Sequence, residues 1–352
     1  MFKTGKRLLI AALAVSAPLL AGSAMAQDKG LISIIVNDTS NPYWFTEGKI
    51  ARETAEELGY EANVSAHKGD TNAESRQIDT AITNQAKAII LDPANADGSV
   101  GAVRKAVEAG IPVFLVNAEI NEQGLAKAQL VSNNAQGAAL GAQQWVQAVG
   151  DSANYVELKG APSDNNAATR SNGYETVLSQ YPDLNKVGED VANWDRTQGF
   201  NKMQSLLQAN PDIQGVISGN DEMALGAIAA LKEAGRLDDV VVGGFDGSPD
   251  AVEAVKSGEL AYTVLQPVAI FSKEAVKQAD VVFIACPHTD ETDKLIDAHC
   301  LDIMKPTAYV VNTARGRIVD EAAMIEGLKA NKIAGAGLDV VEEEPLSPDS
   351  EL

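Results

Sequence analysis

Polar and aromatic side chains follow one predicted strand after another along this chain. They provide amide and carboxylate oxygens, one guanidinium group and three aromatic rings. Hydroxyl groups need both donors and acceptors, and the C–H faces of a sugar or polyol pack on flat apolar rings, so the mixture suits a neutral ligand with many hydroxyl groups. It contains no obvious pair of nucleophile and base, which favours binding over catalysis. The candidate residues are Asn41, Tyr43, Trp44, Asn117, Glu119, Arg170, Trp194, Asn220, Asp246 and Gln266.

Each candidate also has a purely structural explanation. Asn41 precedes a predicted helix and could serve only as its cap, although capping and ligand contact can coexist. Tyr43 and Trp44 lie on one helix, where an aromatic pair usually belongs to the core. Arg170 on its own could be an exposed helix charge, and Asp246 before a glycine could be part of a turn. Only the joint occurrence of these residues after successive strands favours a binding site.

Short β-branched runs alternate with longer amphipathic segments along most of the chain. The first predicted strand covers 31–36, and the first helix covers 42–58, with Asn41 as its cap, Pro42 at its first position and Gly59 as its terminator. The strands are apolar on both faces, which predicts buried parallel sheets in an α/β fold, with ligands at the carboxyl ends of the strands. The repeats could form one large sheet or two doubly wound lobes. Further strands are predicted at 88–91, 112–116, 155–158, 215–218, 240–245 and 262–265, with helices at 74–84, 100–109, 137–149, 197–208 and 222–234.

Length and charge limit the class of protein. A chain of 352 residues is too long for one ordinary domain and too short for three, which predicts two lobes or two domains. The chain carries 28 basic and 49 acidic residues, for a net charge of −21. This charge disfavours a nucleic-acid partner, because the phosphate backbone needs a basic face. The composition predicts a soluble, acidic α/β protein.

The first 26 residues have the pattern of a secretory signal. Lys3, Lys6 and Arg7 are followed by an apolar stretch over 8–20, and Ala24-Met25-Ala26 forms a small-x-small cleavage site. The alternative is an uncleaved anchor, but the apolar stretch is too short to span a bilayer comfortably. The pattern predicts export to the periplasm.

Cysteine and histidine residues cluster near the C-terminus. Cys286 and Cys300 are the only two cysteines, and His288 and His299 lie beside them. The spacing matches none of the usual zinc patterns, so we expect no metal here. The clustering suggests a boundary near residue 275.

Several runs in the body resemble the ribose-type, or type I, periplasmic sugar-binding proteins of ABC transporters. The resemblance covers 28–272 and implies two lobes, 27–133 and 134–266, joined by a hinge that closes on a sugar, with 267–279 packing back on the first lobe. It also implies a monomer that delivers its ligand to a membrane permease and needs no cofactor. The matching runs are Asn41-Pro42-Tyr43-Trp44, Trp194-Asp195-Arg196, 220–227, 242–250 and Gln266.

The resemblance also assigns a role to each candidate. Asparagine, aspartate and glutamine side chains would bond ligand hydroxyls, Arg170 would contact two of them, and the aromatic rings would stack from both lobes. The family's ribose binders usually have Asp-Arg where this chain has Asn117-Ala118-Glu119. The loss of that charged fork argues against ribose itself. The expected ligand is a pentose or a short acyclic polyol such as a tetritol.

Residues 280–352 resemble part of the NAD domain of D-2-hydroxyacid dehydrogenases, carried by 304–306, 311–316 and 335–345. The resemblance implies that Arg315 would anchor a substrate carboxylate, Asp339 would face the nicotinamide and Glu344 would pair with a histidine. A Gly-x-Gly-x-x-Gly phosphate motif and the downstream histidine are both absent from the sequence, so we expect a partial Rossmann-like α/β tail with no activity and no cofactor.

These two resemblances predict an in-frame fusion with a junction near 278–280. The first lobe would then lack its last strand, and 281–285 could dock at that edge while the rest of the tail packs loosely. The main alternative is a fusion that has lost function. A working dehydrogenase and a sugar-responsive repressor are less favoured, since the repressor would need a helix-turn-helix headpiece at the N-terminus.

Overall fold

The computed structural model describes residues 29–278, 281–284, 288–289, 292–304, 308–312 and 314–342. The predicted signal segment lies outside these ranges. Within them, the strands form three parallel sheets of five, five and three strands. The two larger sheets are the cores of two lobes, so the doubly wound α/β prediction is confirmed and the single large sheet is wrong.

The first lobe contains the sheet β2-β1-β3-β4-β5, flanked by helices. Helix α9 lies late in the chain but packs back on this lobe, against α1, β4 and β5. The elements are β1 (Leu31–Val36), α1 (Pro42–Glu57), β2 (Glu61–Ala66), α2 (Thr71–Thr83), β3 (Ala88–Leu91), α3 (Val100–Glu108), β4 (Val113–Val116), β5 (Ala128–Leu130) and α9 (Val268–Gln278).

The second lobe repeats this plan with the sheet β10-β9-β8-β6-β7. The chain enters it after β5 and leaves it after β10, so two crossings join the lobes. Its elements are α4 (Asn134–Val149), β6 (Ser152–Lys159), α5 (Asn165–Leu178), β7 (Asp183–Val191), α6 (Arg196–Ala209), β8 (Gly215–Ser218), α7 (Asp221–Glu233), β9 (Val241–Asp246), α8 (Pro249–Ser257) and β10 (Tyr262–Leu265).

Every residue of the strands β3, β4 and β8 is buried, as expected for central strands covered by helices on both faces.

Local sequence explains the first βα unit. The Asn41 side chain caps α1, Pro42 occupies its first turn, and Gly59 after it has φ +85°. The sequence missed the edge strands β2 and β7, because both are largely polar and solvent-facing.

The C-terminal segment forms a small α/β unit of its own. Strand β12 lies between β11 and β13 in a parallel sheet. Its elements are β11 (Val281–Ile284), α10 (Ala298–Ile303), β12 (Tyr309–Asn312), α11 (Glu321–Lys329) and β13 (Gly335–Leu338).

Two expectations for this segment are wrong. Strand β11 pairs with β12 rather than with the first lobe, because β12 offers a hydrogen-bonding edge on each side. The unit also has a packed core, which includes Leu301, Val310, Ile318 and Met324, all at most 1% exposed. It is therefore folded rather than loosely packed.

Candidate ligand-binding site

The carboxyl ends of the two large sheets face each other across a cleft, and eleven side chains meet there around a small cavity of about 20 Å³. Nine of the ten residues selected from the sequence line this cavity. Asp164 and Asn166 complete the lining and were missed. The lining is Asn41, Tyr43, Trp44, Asn117, Asp164, Asn166, Arg170, Trp194, Asn220, Asp246 and Gln266.

Glu119 is the exception. Its side chain is exposed and does not line the cavity. The turn after β4 explains this, because Asn117 takes a left-handed conformation with φ 63°, which keeps Asn117 and Ala118 buried and leaves Glu119 outside. The prediction that Glu119 belongs to the ligand site is therefore wrong.

Asn41 combines a structural role with a place in the site. Its Oδ1 accepts from the Tyr43 backbone N–H at 2.9 Å, which caps α1. Its Nδ2 donates across the cleft to the backbone oxygen of Trp194 at 3.4 Å. Asn41 is therefore a helix cap that also lines the cavity.

The aromatic pair of the first lobe is fixed by hydrogen bonds below the cavity. The Tyr43 hydroxyl donates to Asn117 Oδ1 at 2.9 Å, and the Trp44 indole N–H donates to Asp92 Oδ2 at 2.6 Å. The two rings meet edge to face with centroids 6.4 Å apart. Both rings pack in the core and also line the cavity.

Arg170 is the central cation of the site and is 4% exposed, so the exposed-charge explanation is wrong. Its Nε donates to Asn134 Oδ1 and its Nη1 to the Gly219 carbonyl, each at 2.8 Å. The guanidinium also lies 3.9 Å from the centroid of the Phe245 ring and 5.2 Å from that of Trp194. These contacts hold a planar donor group in a fixed orientation.

Asp246 and Gln266 form the acceptor side of the cavity. Asp246 Oδ1 lies 3.3 Å from Arg170 Nη1 and accepts from Gln266 Nε2 at 2.7 Å. Burial raises the pKa of Asp246 to about 6, against the opposing effect of Arg170. Gln266 Oε1 is buried and receives no hydrogen bond from the described residues.

Trp194 closes the cavity from the second lobe and has φ 65°. Two glycines make room for its ring, since a Cβ atom would lie 2.0 Å from it at Gly160 and 3.1 Å from it at Gly219. Asn220 caps α7 and donates from Nδ2 to the Trp194 backbone oxygen at 3.3 Å.

Asp164 and Asn166 lie where β6 leads into α5. Asp164 caps this helix, and burial raises its pKa. Asn166 Nδ2 donates to the Asn117 carbonyl of the first lobe at 3.0 Å. A sequence signal existed, because Asp164 and Asn166 follow the strand predicted at 155–158, as Asn41 and Asn220 follow theirs.

Direct hydrogen bonds join the lobes around the cavity. The Ala96 N–H donates to the Ser163 carbonyl at 2.9 Å, and Asn165 Nδ2 donates to Asn121 Oδ1 at 2.8 Å. A wider cavity of about 510 Å³ lies outside and shares Asn41, Trp44, Asp164 and Trp194 with the inner one. These four residues therefore separate the inner cavity from the outer cleft.

The two-lobed architecture and this cleft agree with the comparisons with known proteins. Residues 32–283 match the family described as periplasmic binding protein domain. The chain belongs to this family. The C-terminal residues 251–352 match the NAD binding domain of D-isomer specific 2-hydroxyacid dehydrogenases. Both resemblances inferred from the sequence are confirmed.

Its relatives are binding proteins of sugar importers. The chain is 46% identical to a D-apiose import binding protein of Actinobacillus succinogenes, over 84% of this chain and 95% of that protein. It is 33% identical to the ribose import binding protein of Salmonella typhimurium, over 78% and 90%. A solved solute-binding protein from Bacillus halodurans, with bound myo-inositol, superposes with a TM-score of 0.68 at 28% identity, over 72% of this chain and 88% of that one. Over most of its length the chain is thus similar to solute-binding proteins of importers.

Among the described residues of the dehydrogenase-like segment, none lines this cavity. Arg315 and Asp339 are exposed, and Glu344 and Cys286 lie outside the described residues. No cluster of three or more His, Cys, Asp or Glu among the described residues could hold a metal ion. Within the described ranges, no helix is long and apolar enough to cross a membrane.

Proposed function

We propose that the chain is the solute receptor of an ABC importer and binds a pentose or a small polyol between its lobes by hinge closure. D-apiose, a branched pentose, is the first candidate, since the relative that is 46% identical carries that name. The Asn117-Ala118-Glu119 run argues against ribose, because the chain lacks the charged fork of the ribose-type relatives and Glu119 points away from the cavity.

The observation that carries this proposal is the buried, unpaired oxygen Oε1 of Gln266 at the cavity. A buried acceptor without a donor costs about 1–3 kcal/mol, and a ligand hydroxyl would relieve that cost. Arg170 has a complementary feature, because its hydrogen bonds within the lobe use Nε and Nη1 and leave Nη2 for an incoming oxygen. The pair offers one acceptor and one donor, as a neutral polyhydroxylated ligand requires.

The size of the cavity supports a small ligand. Pockets for drug-sized molecules have volumes of about 300–1,000 Å³, whereas the inner cavity has a volume of only about 20 Å³. The lobes must therefore part to admit a ligand, and a five-carbon sugar or a four-carbon polyol needs less added space than a disaccharide. We further propose that the protein is exported by way of residues 1–26, works as a monomer in the periplasm and passes its ligand to a membrane permease.

A panel of ligands tests the proposal. The change in thermal unfolding temperature would be measured with D-apiose, D-ribose, xylitol, a tetritol and D-glucose. We expect a rise with D-apiose or one of the small polyols and a smaller effect of D-glucose. The Trp194→Ala variant should lose the effect, whereas Trp145→Phe, in the core of the second lobe away from the cavity, should keep it. A folded protein that responds to no sugar would favour the alternative of a fusion without function.

The tail is proposed to have no enzymatic role. An assay of NADH consumption with a panel of 2-oxo acids tests this point. Turnover that depends on Arg315 would overturn it, and no turnover above background is expected.

A further inference from the structure

Glu47 lies on α1, beneath the cavity, and is fully buried at 0% exposure. Neither of its carboxyl oxygens receives a hydrogen bond from an N–H or O–H group of the described residues. An ionised carboxylate in such a place would be very costly, because nothing replaces the water it has lost. A neutral, protonated carboxyl group in the same place would cost far less free energy.

The group that faces Glu47 is a second buried carboxyl, that of Asp92, directly after β3. Asp92 Oδ2 accepts from two residues of the site, Trp44 Nε1 at 2.6 Å and Asn117 Nδ2 at 2.9 Å. Asp92 therefore supports the first-lobe wall of the cavity from behind. Burial raises the pKa of Asp92 to about 8, and the two donors act in the opposite direction by favouring its ionised form.

Two carboxyl groups can hydrogen-bond to each other only when one of them carries a proton, and two like charges in contact cannot both be buried. Asp92 already accepts two hydrogen bonds, so the proton belongs on Glu47, which can donate it to Asp92. The pKa of Glu47 is raised well above its ordinary value, first by burial and then by the negative charge of Asp92.

Other titratable and charged groups near the pair do not replace this proton. His67, after β2, donates from Nε2 to the Asp92 carbonyl at 2.7 Å, and its Nδ1 accepts from the Gly69 N–H, so its ring is neutral. Asp164, across the cleft, adds a further negative charge that acts on Asp92. Two further charged groups, Asp246 and Arg170, act electrostatically on the Tyr43 hydroxyl next to the pair.

We propose that Glu47 is a positioning residue of the binding site. Its protonated carboxyl group donates to Asp92, and the resulting pair holds the Trp44 indole and the Asn117 amide in the orientation that the ligand meets. The effect of Glu47 on ligand affinity rests on the proposed function. The presence of a proton on Glu47 does not.

Removal of the proton at alkaline pH would place two negative charges in one buried space. If only the protonated pair binds ligand, affinity falls about tenfold for each pH unit above the ionisation of Glu47. A merely structural Glu47 would give no such profile in a protein that is still folded.

The first test detects the proton without any ligand. The infrared C=O stretch of protonated carboxylic acids would be recorded for the wild-type protein at neutral pH and compared with Glu47→Gln. We expect the band to be weaker in the variant, where other buried carboxyl groups such as Asp221 still contribute to it. Glu74→Gln is the matched control, since Glu74 is a fully buried carboxylate of the same lobe that accepts from the Ala94 N–H and the Ser99 hydroxyl. A band equally strong in wild type and Glu47→Gln would overturn the proposal.

The second test measures the affinity for D-apiose between neutral pH and about pH 10. We expect the wild type and Glu74→Gln to lose affinity at alkaline pH. Glu47→Gln, a neutral side chain that can still donate to Asp92, should bind with a flat pH profile, and Glu47→Leu should bind weakly at every pH. An equal alkaline loss in Glu47→Gln would overturn the positioning role. Absence of any binding by the wild type would overturn the proposed ligand, while the infrared result would still decide the proton.

Discussion

Arg170 and Asp246 form a buried ion pair at the ligand cavity, with Nη1 and Oδ1 3.3 Å apart and the two side chains 4% and 8% exposed. The cation comes from a helix and the anion from the end of a strand of the same lobe. Their partners, Asn134 and Gln266, lie close to the two crossings between the lobes. The pair therefore connects the ligand cavity to the hinge.

Removal of Arg170 should be strongly destabilising. The Arg170→Ala variant leaves the Asp246 carboxylate buried without its cation, which costs about 3–5 kcal/mol. Urea unfolding measures this loss. The double variant Arg170→Ala, Asp246→Asn should recover part of it, because no buried charge then lacks a partner. A loss below about 1 kcal/mol in the single variant would mean that the pair is not buried in solution.

Gly160→Ala should weaken ligand binding without a large change in stability. The added Cβ atom would lie 2.0 Å from the Trp194 ring and must displace it from the cavity. We expect a loss of affinity of about tenfold, measured by titration with the sugar. Gly101→Ala is the matched control, because it lies in α3 with no atom within 4 Å of the new Cβ. It should keep full affinity and gain about 0.5–1 kcal/mol of stability. Equal affinities of the two variants would contradict the role given to Trp194.

Stability should fall as pH rises through the mildly acidic range. Burial, and then the charge of Asp246, raises the pKa of Asp221 from 3.8 to about 7. Between these values native Asp221 holds a proton that the unfolded chain has released, so its contribution to the free energy of unfolding decreases with rising pH and levels off above about 7, while the raised pKa of Glu47 continues the decrease at higher pH. Urea unfolding across this range measures the slope. Asp221→Asn should flatten it, and Glu57→Gln, at an exposed position on α1, should not.

The C-terminal unit should unfold without affecting the receptor. Val310 is 0% exposed in the centre of its sheet, so Val310→Asp buries an unpaired charge there. Limited proteolysis should then cleave the tail while ligand affinity stays unchanged. Tyr309→Asp, at a neighbouring position that is 50% exposed, is the control and should leave the tail resistant. Loss of binding in Val310→Asp alone would show that the two units are coupled.

Much of the binding site could be predicted from the sequence, because its residues follow strands whose apolar composition identifies them. Asn41, Asn220 and Asp246 are examples, since Asp246 ends a buried strand and the two asparagines lie in the connections between a buried strand and the next helix. The position of Glu119 could not be predicted in the same way. Whether a side chain points inward after a strand depends on the turn, and the left-handed conformation of Asn117 is a property of the folded chain.

Residues that act from beneath the cavity were harder to find. In the sequence, Glu47 is one of several acidic residues of α1 and is indistinguishable from an exposed helix charge. Only the packing of α1 against the sheet brings it to Asp92. For the tail, the prediction from the sequence was wrong in the other direction. Its incomplete family match suggested loose packing, whereas three strands and two helices enclose a core of their own.

Isothermal titration of the full-length protein with D-apiose tests whether the chain is a receptor for a small sugar. We expect binding of one sugar molecule per chain, at least tenfold tighter than D-glucose, and loss of the heat signal in the Trp194→Ala variant. A folded wild-type protein that gives no binding heat with D-apiose, the other pentoses or the small polyols would contradict it.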